Sequence, residues 1–227
     1  MTYLALMRHG QTLWNRVGRF TGWVDEPLNN QGRRQAREAG RLLATVSRDW
    51  DVAYTSLLSR AAETAELAIN GLGTRPAVMQ DWRLNERHLG ALEGVLHADY
   101  AAIHGPDGVD QMRWAWNSPP PLIADSDPRQ VDYARRYPQI GAALPRGESL
   151  TDVIARVRPW WEQVRDRVAS GERTIVCTHG TTLRALCVLI EGLTAEQIFS
   201  VRADHAVPLY YDIDKSGRPT RAHELGS

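Results

Sequence analysis

Two short apolar runs end in the same way, "LALMRHG" at 4–10 and "IVCTHG" at 175–180, and helical patterning follows each. An apolar run too short for a helix, with no polar alternation, reads as a strand buried on both faces. "YLALM" at 3–7, "DVAYTS" at 51–56, "RTIVCTHG" at 173–180 and "AVPLYYDID" at 206–214 are the strands expected here. Between them, "LNNQGRRQAREAGRLLATV" opens on Asn29 as N-cap and repeats Ala36, Ala39, Gly40 and Leu43 at helical spacing. Further helices are expected over 57–69, over "LTDVIARVRPWWEQVRDRV" with Pro159 as a kink or join, and over "TTLRALCVLIEG" up to Gly192. Strands that alternate with helices imply the α/β class, a three-layer α/β/α sandwich around a mostly parallel sheet.

The pattern fails between His104 and Arg146, where six of the twelve prolines lie at 119–145. This stretch reads as an insertion or lid, spanning about 95–146, within a single domain over 1–227.

Composition removes several classes of function. Lys+Arg and Asp+Glu both number 27, so no global charge draws the chain to nucleic acid or an anionic membrane. The eight tryptophans lack a basic patch around them and read as core or lid. The apolar runs are strand-length or broken by arginine, so neither a transmembrane helix nor a signal peptide is expected. Cys177 and Cys187 give no disulfide framework and point to a reducing cytoplasm. Cys177 and His179 share a strand, but no second ligand cluster has metal spacing, so no metal site is expected. Lys215 is the only lysine among the 27 basic residues.

In a sheet of this kind ligands bind beyond the carboxyl ends of the strands. A lone histidine there is more often structural. Here His9 and His179 end two strands, each followed by a glycine, and Arg8 and Arg60 bring guanidinium groups suited to phosphate oxygens.

Seven stretches in order, "RHGQTLWN", "RFTGWVDEPL", "AYTSLLSRA", "LNERHLGALEG", "RGESL", "THGTTLRAL" and "VPLYYDID", resemble the histidine phosphatase superfamily, in its cofactor-dependent phosphoglycerate mutase branch. The resemblance implies a phosphoglycerate mutase-like fold and covers nearly the whole chain. It makes His9 the nucleophile that forms a phosphohistidine. Arg8, Arg60 and His179 would surround the phosphoryl oxygens with Asn15, and Glu86 would serve as general acid and base. It also implies phosphate or substrate contacts at Gln11, Thr21, Gly22, Arg87, Gly180 and Thr181. Leu89, His97, Arg113 and Trp114 fall on further substrate positions. No cofactor is required, with 2,3-bisphosphoglycerate as phosphoryl primer only if the chain is a mutase. The expected partner is a small phosphorylated metabolite. Relatives that form dimers or tetramers leave a homodimer or homotetramer open.

The departures from the mutase pattern are selective. Leu89 stands where the branch has tyrosine, His97 where it has lysine, Trp114 for the second of two arginines, and Thr181 for asparagine. Gln11 replaces a glutamate. The positions expected to touch the phosphoryl group are kept, while those around the rest of the substrate change. The favoured reading is therefore a phosphatase acting on a substrate other than 3-phosphoglycerate, less anionic and more apolar. A phosphoglycerate mutase with an unusual pocket is the alternative, and an inactive phosphate-binding module the remote one.

Overall fold

The computed structural model describes residues 2–113, 115–214 and 218–221. In chain order its main elements are β1 (Thr2–Arg8), α1 (Leu13–Val17), α2 (Asn30–Val46), β2 (Val52–Thr55), α3 (Ser59–Ile69) and β3 (Ala77–Gln80). There follow α4 (His97–His104), α5 (Gly108–Arg113), α6 (Pro128–Arg136), α7 (Leu150–Ala169), β4 (Thr174–Thr178), α8 (Gly180–Glu191), β5 (Leu209–Ile213) and β6 (Pro219–Arg221).

The strands form one sheet in the order β3-β2-β4-β1-β5-β6. β1 to β4 are parallel, with Leu6 opposite Val176 and Tyr54 opposite Val176 on the other side. β5 runs antiparallel to β1, with Leu6 opposite Leu209, and β6 antiparallel to β5. Strand alternation sends the β1 side chains to both faces. Leu4 and Leu6 enter the core built with α7 and α8, while Ala5 and Met7 pack against α2 and α3. Truncating the fully buried Leu6 to alanine should cost about 2–5 kcal/mol.

The helix signals correspond to physical caps. The Asn29 side chain accepts the Gly32 N–H, and Ala36, Ala39, Gly40 and Leu43 of α2 are buried. Gly40 is required because a Cβ there would strike the Ala68 carbonyl of α3. α7 starts in a capping box between Ser149 and Asp152 and runs through Pro159 as one helix. α8 ends on Gly192 in the left-handed conformation, at φ 70°.

The expected strands are present, but β3 and β6 were not anticipated. β3 is an exposed edge strand of four residues and carries no buried apolar run to read. The insertion is also more ordered than its composition suggests. α6 has Asp127 as N-cap, Pro128 in its first turn, and Gln130 and Tyr133 as its buried residues. A stripe of one amide and one phenol gives no apolar period to detect. Tyr133, Tyr137 and Ile140 pack on Trp23 and Leu58. Near α4 and α5, Tyr100, Val109 and Met112 close over Phe20, Leu89 and Leu92. Among the described residues no helix is long and apolar enough to cross a membrane.

Candidate active site

The carboxyl ends of β1 and β4 open onto a cavity of about 470 Å³, which Arg8 and His9 enter from β1. His9 is 2% exposed, and its Nδ1 lies 2.7 Å from the Gly10 carbonyl oxygen. A carbonyl only accepts, so Nδ1 carries the proton and Nε2 the lone pair. The Arg60 Nε–H, 3.3 Å from that Nε2, fits the same tautomer. Burial, and then the charges of Arg60 and its neighbours, hold the His9 pKa well below its ordinary value, so the ring stays neutral. A neutral, oriented imidazole with Nε2 available is a nucleophile.

Gly10 has a specific local reason. A Cβ there would run into the Gly32 backbone at the start of α2, so the glycine lets the loop after β1 lie against that helix. The Gly10 N–H donates to Thr64 Oγ1 of α3 at 3.0 Å, which fixes the turn. On α3, Arg60 is 1% exposed and donates to the Val24 and Gly22 carbonyls at 2.8 Å each. Its guanidinium thereby joins the 20–24 loop to His9.

His179 ends β4 as the N-cap residue of α8, and its ring centroid lies 5.0 Å from that of His9. Its Nε2 pairs with Ser56 Oγ at 2.8 Å, and its Nδ1 is buried without a partner. Arg8 Nε is buried and unpartnered in the same way. Burial lowers the Arg8 pKa to about 10, which still leaves it protonated near neutrality. Two unmatched buried polar atoms near the His9 ring suit an anion with several acceptor oxygens. Asn15 adds a donor, because its Oδ1 takes the Thr12 N–H in the α1 capping box and its Nδ2 remains.

Glu86 sits across the cavity on a segment gripped from several sides. Arg156 of α7 donates to the carbonyls of Arg83, Asn85 and Glu86, and pairs with buried Glu148 at 2.6 Å. Thr178 and Thr182 hydroxyls bind the Leu84 and Asn85 carbonyls at 2.7 Å each. The carboxylate itself accepts the Arg87 and Thr181 N–H groups at 2.8 and 3.2 Å. Behind this segment, buried Glu93 accepts from Trp23 N and Leu89 N, and from Tyr133 Oη at 2.7 Å. Burial pushes its pKa up to about 7 against those three donors.

Among the expected binding residues, Asn15, Thr21, Gly22, Arg87, Leu89, His97, Arg113, Gly180 and Thr181 line the cavity. Gln11 does not: its Oε1 accepts from Asn29 Nδ2 at 3.0 Å, tying it to the start of α2. Trp114 lies outside the described residues. His97 packs edge-on against Phe20 at 4.4 Å, and burial, then Arg113, lowers its pKa, so the lysine position holds no cation at neutrality.

The cavity wall also holds Arg19, Arg184, Arg202, Phe199 and His205, which the sequence reading did not single out. Arg184 was visible as the residue one helical turn after Gly180. His205 escaped because β5 is antiparallel, so that its beginning, not its end, reaches the ligand edge. With Arg8, Arg60, Arg87 and Arg113, seven arginines face the cavity, against the carboxylates of Glu86 and Asp204. These wall arginines weigh against the expectation of a less anionic substrate, which counted only the cations lost. Arg87 is the clearest case: it is 2% exposed, donates to the Met112 carbonyl, and keeps Nε and NH1 unpartnered. Among the described residues no group of three or more His, Cys, Asp or Glu assembles as a metal ion needs.

A parallel-edge imidazole pair ringed by buried guanidinium groups defines a phosphoryl-transfer site, and residues 4–136 and 122–221 match the family model of the Histidine phosphatase superfamily (branch 1). The chain belongs to that superfamily. It is 41% identical over 223 residues to a 2,3-bisphosphoglycerate-dependent phosphoglycerate mutase of Arthrobacter sp. (strain FB24), covering 96% of this chain and 90% of the relative. Among solved structures it resembles the mycobacterial glucosyl-3-phosphoglycerate phosphatase in complex with VO3, at 25% identity and TM-score 0.73 over 98% of both chains. A putative alpha-ribazole-5'-P phosphatase of Escherichia coli shares the fold, at 22% identity and TM-score 0.74 over 98% of this chain and 95% of that one.

Proposed function

We propose that this enzyme is a phosphatase that hydrolyses a small phosphorylated metabolite other than 3-phosphoglycerate by way of a phosphohistidine on His9. The reading rests on His9 itself, a neutral imidazole with its lone pair at Nε2, whose ring lies 5.0 Å from that of His179, while Arg8 Nε and His179 Nδ1 are buried and unpartnered. In the first step Nε2 attacks phosphorus and the ester P–O bond breaks. The departing oxygen takes the proton of the Glu86 carboxylic acid, and the alcohol leaves. In the second step the Glu86 carboxylate accepts a proton from water as the water oxygen bonds to phosphorus. The P–N electron pair then returns to Nε2, giving phosphate. Arg8, Arg60, His179 and Asn15 hold the equatorial oxygens, where the transition state concentrates charge. No cofactor enters either step.

Buried Arg87, with Arg113, offers the substrate a second anionic contact, so we infer a phosphoester that also carries a carboxylate or a further phosphate. Leu89 and His97 give the rest of that substrate a more apolar surround than the tyrosine and lysine of the mutase branch would. The mutase reading is supported by the Arthrobacter relative and by Arg87, Arg113, Thr21 and Gly22 all facing the cavity. It would need 2,3-bisphosphoglycerate as primer. With its two buried cysteine thiols, the protein is placed by this proposal in a reducing cytoplasm.

Incubation with p-nitrophenyl phosphate and a panel of carboxylated phosphoesters should release phosphate and leave an acid-labile phosphoprotein that is absent in His9→Ala. Rapid interconversion of 2- and 3-phosphoglycerate with 2,3-bisphosphoglycerate, and no phosphate release, would replace the phosphatase reading by the mutase one.

A further inference from the structure

A third imidazole stands beside the nucleophile. The His205 ring centroid lies 5.7 Å from that of His9, and its Nδ1 is 3.0 Å from the His9 carbonyl oxygen. Since the carbonyl can only accept, Nδ1 carries the proton and Nε2 is left as a lone pair on a residue that borders the cavity. The corner is built with care for this position. Ala206 is buried and adopts φ 56°, a left-handed conformation unusual for a residue with a Cβ. Its N–H donates to the Arg8 carbonyl at 3.0 Å, so adjacent residues of this corner grip adjacent residues of β1.

Apart from His9 Nε2 and the Asp204 carboxylate, the groups around this nitrogen are donors, and an acceptor at His205 stands out among them. Arg8, Arg60 and Asn15 Nδ2 are donors, as bound phosphoryl oxygens require. A fully ionised phosphoryl group presents only acceptors, so it meets His205 Nε2 favourably only if a proton lies between them. Building on the phosphohistidine reading above, we propose that His205 is a phosphate-binding residue that shares a proton with the phosphoryl group, so that the site takes up one proton as the dianion enters. The proton bridges His205 Nε2 and a phosphoryl oxygen, and no covalent bond changes. The charged and titratable groups around His205 are Arg8 and His9 from β1, Arg184 from α8, and Arg202 and Asp204 on its own loop. Burial, then Arg8, holds its pKa down to about 4 in the ligand-free protein, so the proton is absent before the anion arrives. A dianion placed against the ring reverses that balance.

The test is calorimetric titration of the whole protein with inorganic phosphate at pH 8, in two buffers of different ionisation heat, which counts protons taken up per phosphate. His205→Asn keeps a donor toward the His9 carbonyl and removes the Nε2 base. The native protein should take up about one proton more than this variant, since phosphate at that pH is mostly dianionic. His205→Gln, which also lacks a basic nitrogen, should show the same loss and serves if the asparagine variant does not fold. Equal uptake in native and variant proteins overturns the proposal and leaves the phosphohistidine reading standing. Failure of the native protein to bind phosphate at all overturns that reading, and this one with it.

Discussion

The two ends of the cavity are made of different material. At the phosphoryl end, His9, Arg60 and His179 are buried, project from strand ends or the first turn of a helix, and are tied to main-chain or hydroxyl groups of neighbouring elements. At the far end, Arg113 lies on the short helix α5, and Phe199 and Arg202 are more than half exposed on the segment before β5. Under the proposed function, the difference separates chemistry from choice of substrate. A transition state needs donors already in place, which a sheet edge provides. Recognition of the remainder tolerates surface segments that can change without disturbing the core.

The sharpest way to break this division is to disturb the buried end. Arg8→Met should lower kcat on p-nitrophenyl phosphate about 10²- to 10³-fold with a smaller change in KM, because its contact strengthens in the transition state. A loss confined to KM would put Arg8 among the ground-state binders. At the contacts proposed for the rest of the substrate the split should invert. Arg87→Met should cost about 10- to 100-fold in kcat/KM on a carboxylated phosphoester, mostly through KM, and little on the aryl phosphate, which has no second anion. Equal losses on both substrates would show that Arg87 serves the reacting group.

A milder exchange sharpens the contrast. Leu89→Tyr with His97→Lys restores the mutase-branch residues and should improve capture of 3-phosphoglycerate about tenfold, read as KM or as an inhibition constant. No gain would mean that the substrate is selected elsewhere, around Phe199 and Arg202.

The last contrast is in stability against acid. Burial holds the pKa values of His9 and His179 well below the ordinary value, that of His88 down to about 3, and that of His205 down to about 4. Below pH 6.5 the unfolded chain therefore takes up protons that the folded one refuses, and stability falls as pH drops toward 4. Glu93, raised to about 7, works the other way between pH 7 and 4.5, one carboxyl against these four imidazoles and His97, whose pKa burial also lowers. Thermal unfolding should show Tm falling between pH 6.5 and 4.5, and a flat or rising Tm would contradict these environments.

The phosphoryl end was legible in the sequence because strand and candidate residues coincide there: "LALMRHG" and "IVCTHG" state both burial and the meeting of two imidazoles in one run. The far end was not. Arg202 and His205 reach the cavity through a strand reversed relative to its neighbour, and direction leaves no mark on an apolar pattern. Glu148 illustrates another limit. In "RGESL" it reads as an ordinary acid, yet it is buried against Arg156 and steadies the segment that carries Glu86. α6 was missed for the same kind of reason, since its buried side is an amide and a phenol.

The strand order has a consequence in time. β1 is flanked by β4 and β5, whose residues 174–178 and 209–213 follow it by most of the chain length. On a ribosome adding about 5–20 residues per second, the strand that leads into His9 waits on the order of 10–40 s for both neighbours. Until then its apolar edges are open, and every contact that closes them is long in sequence, which slows folding. The chain therefore acquires the His9 imidazole almost first and its surroundings almost last, so a nascent chain interrupted before β4 would carry the histidine without the pocket around it.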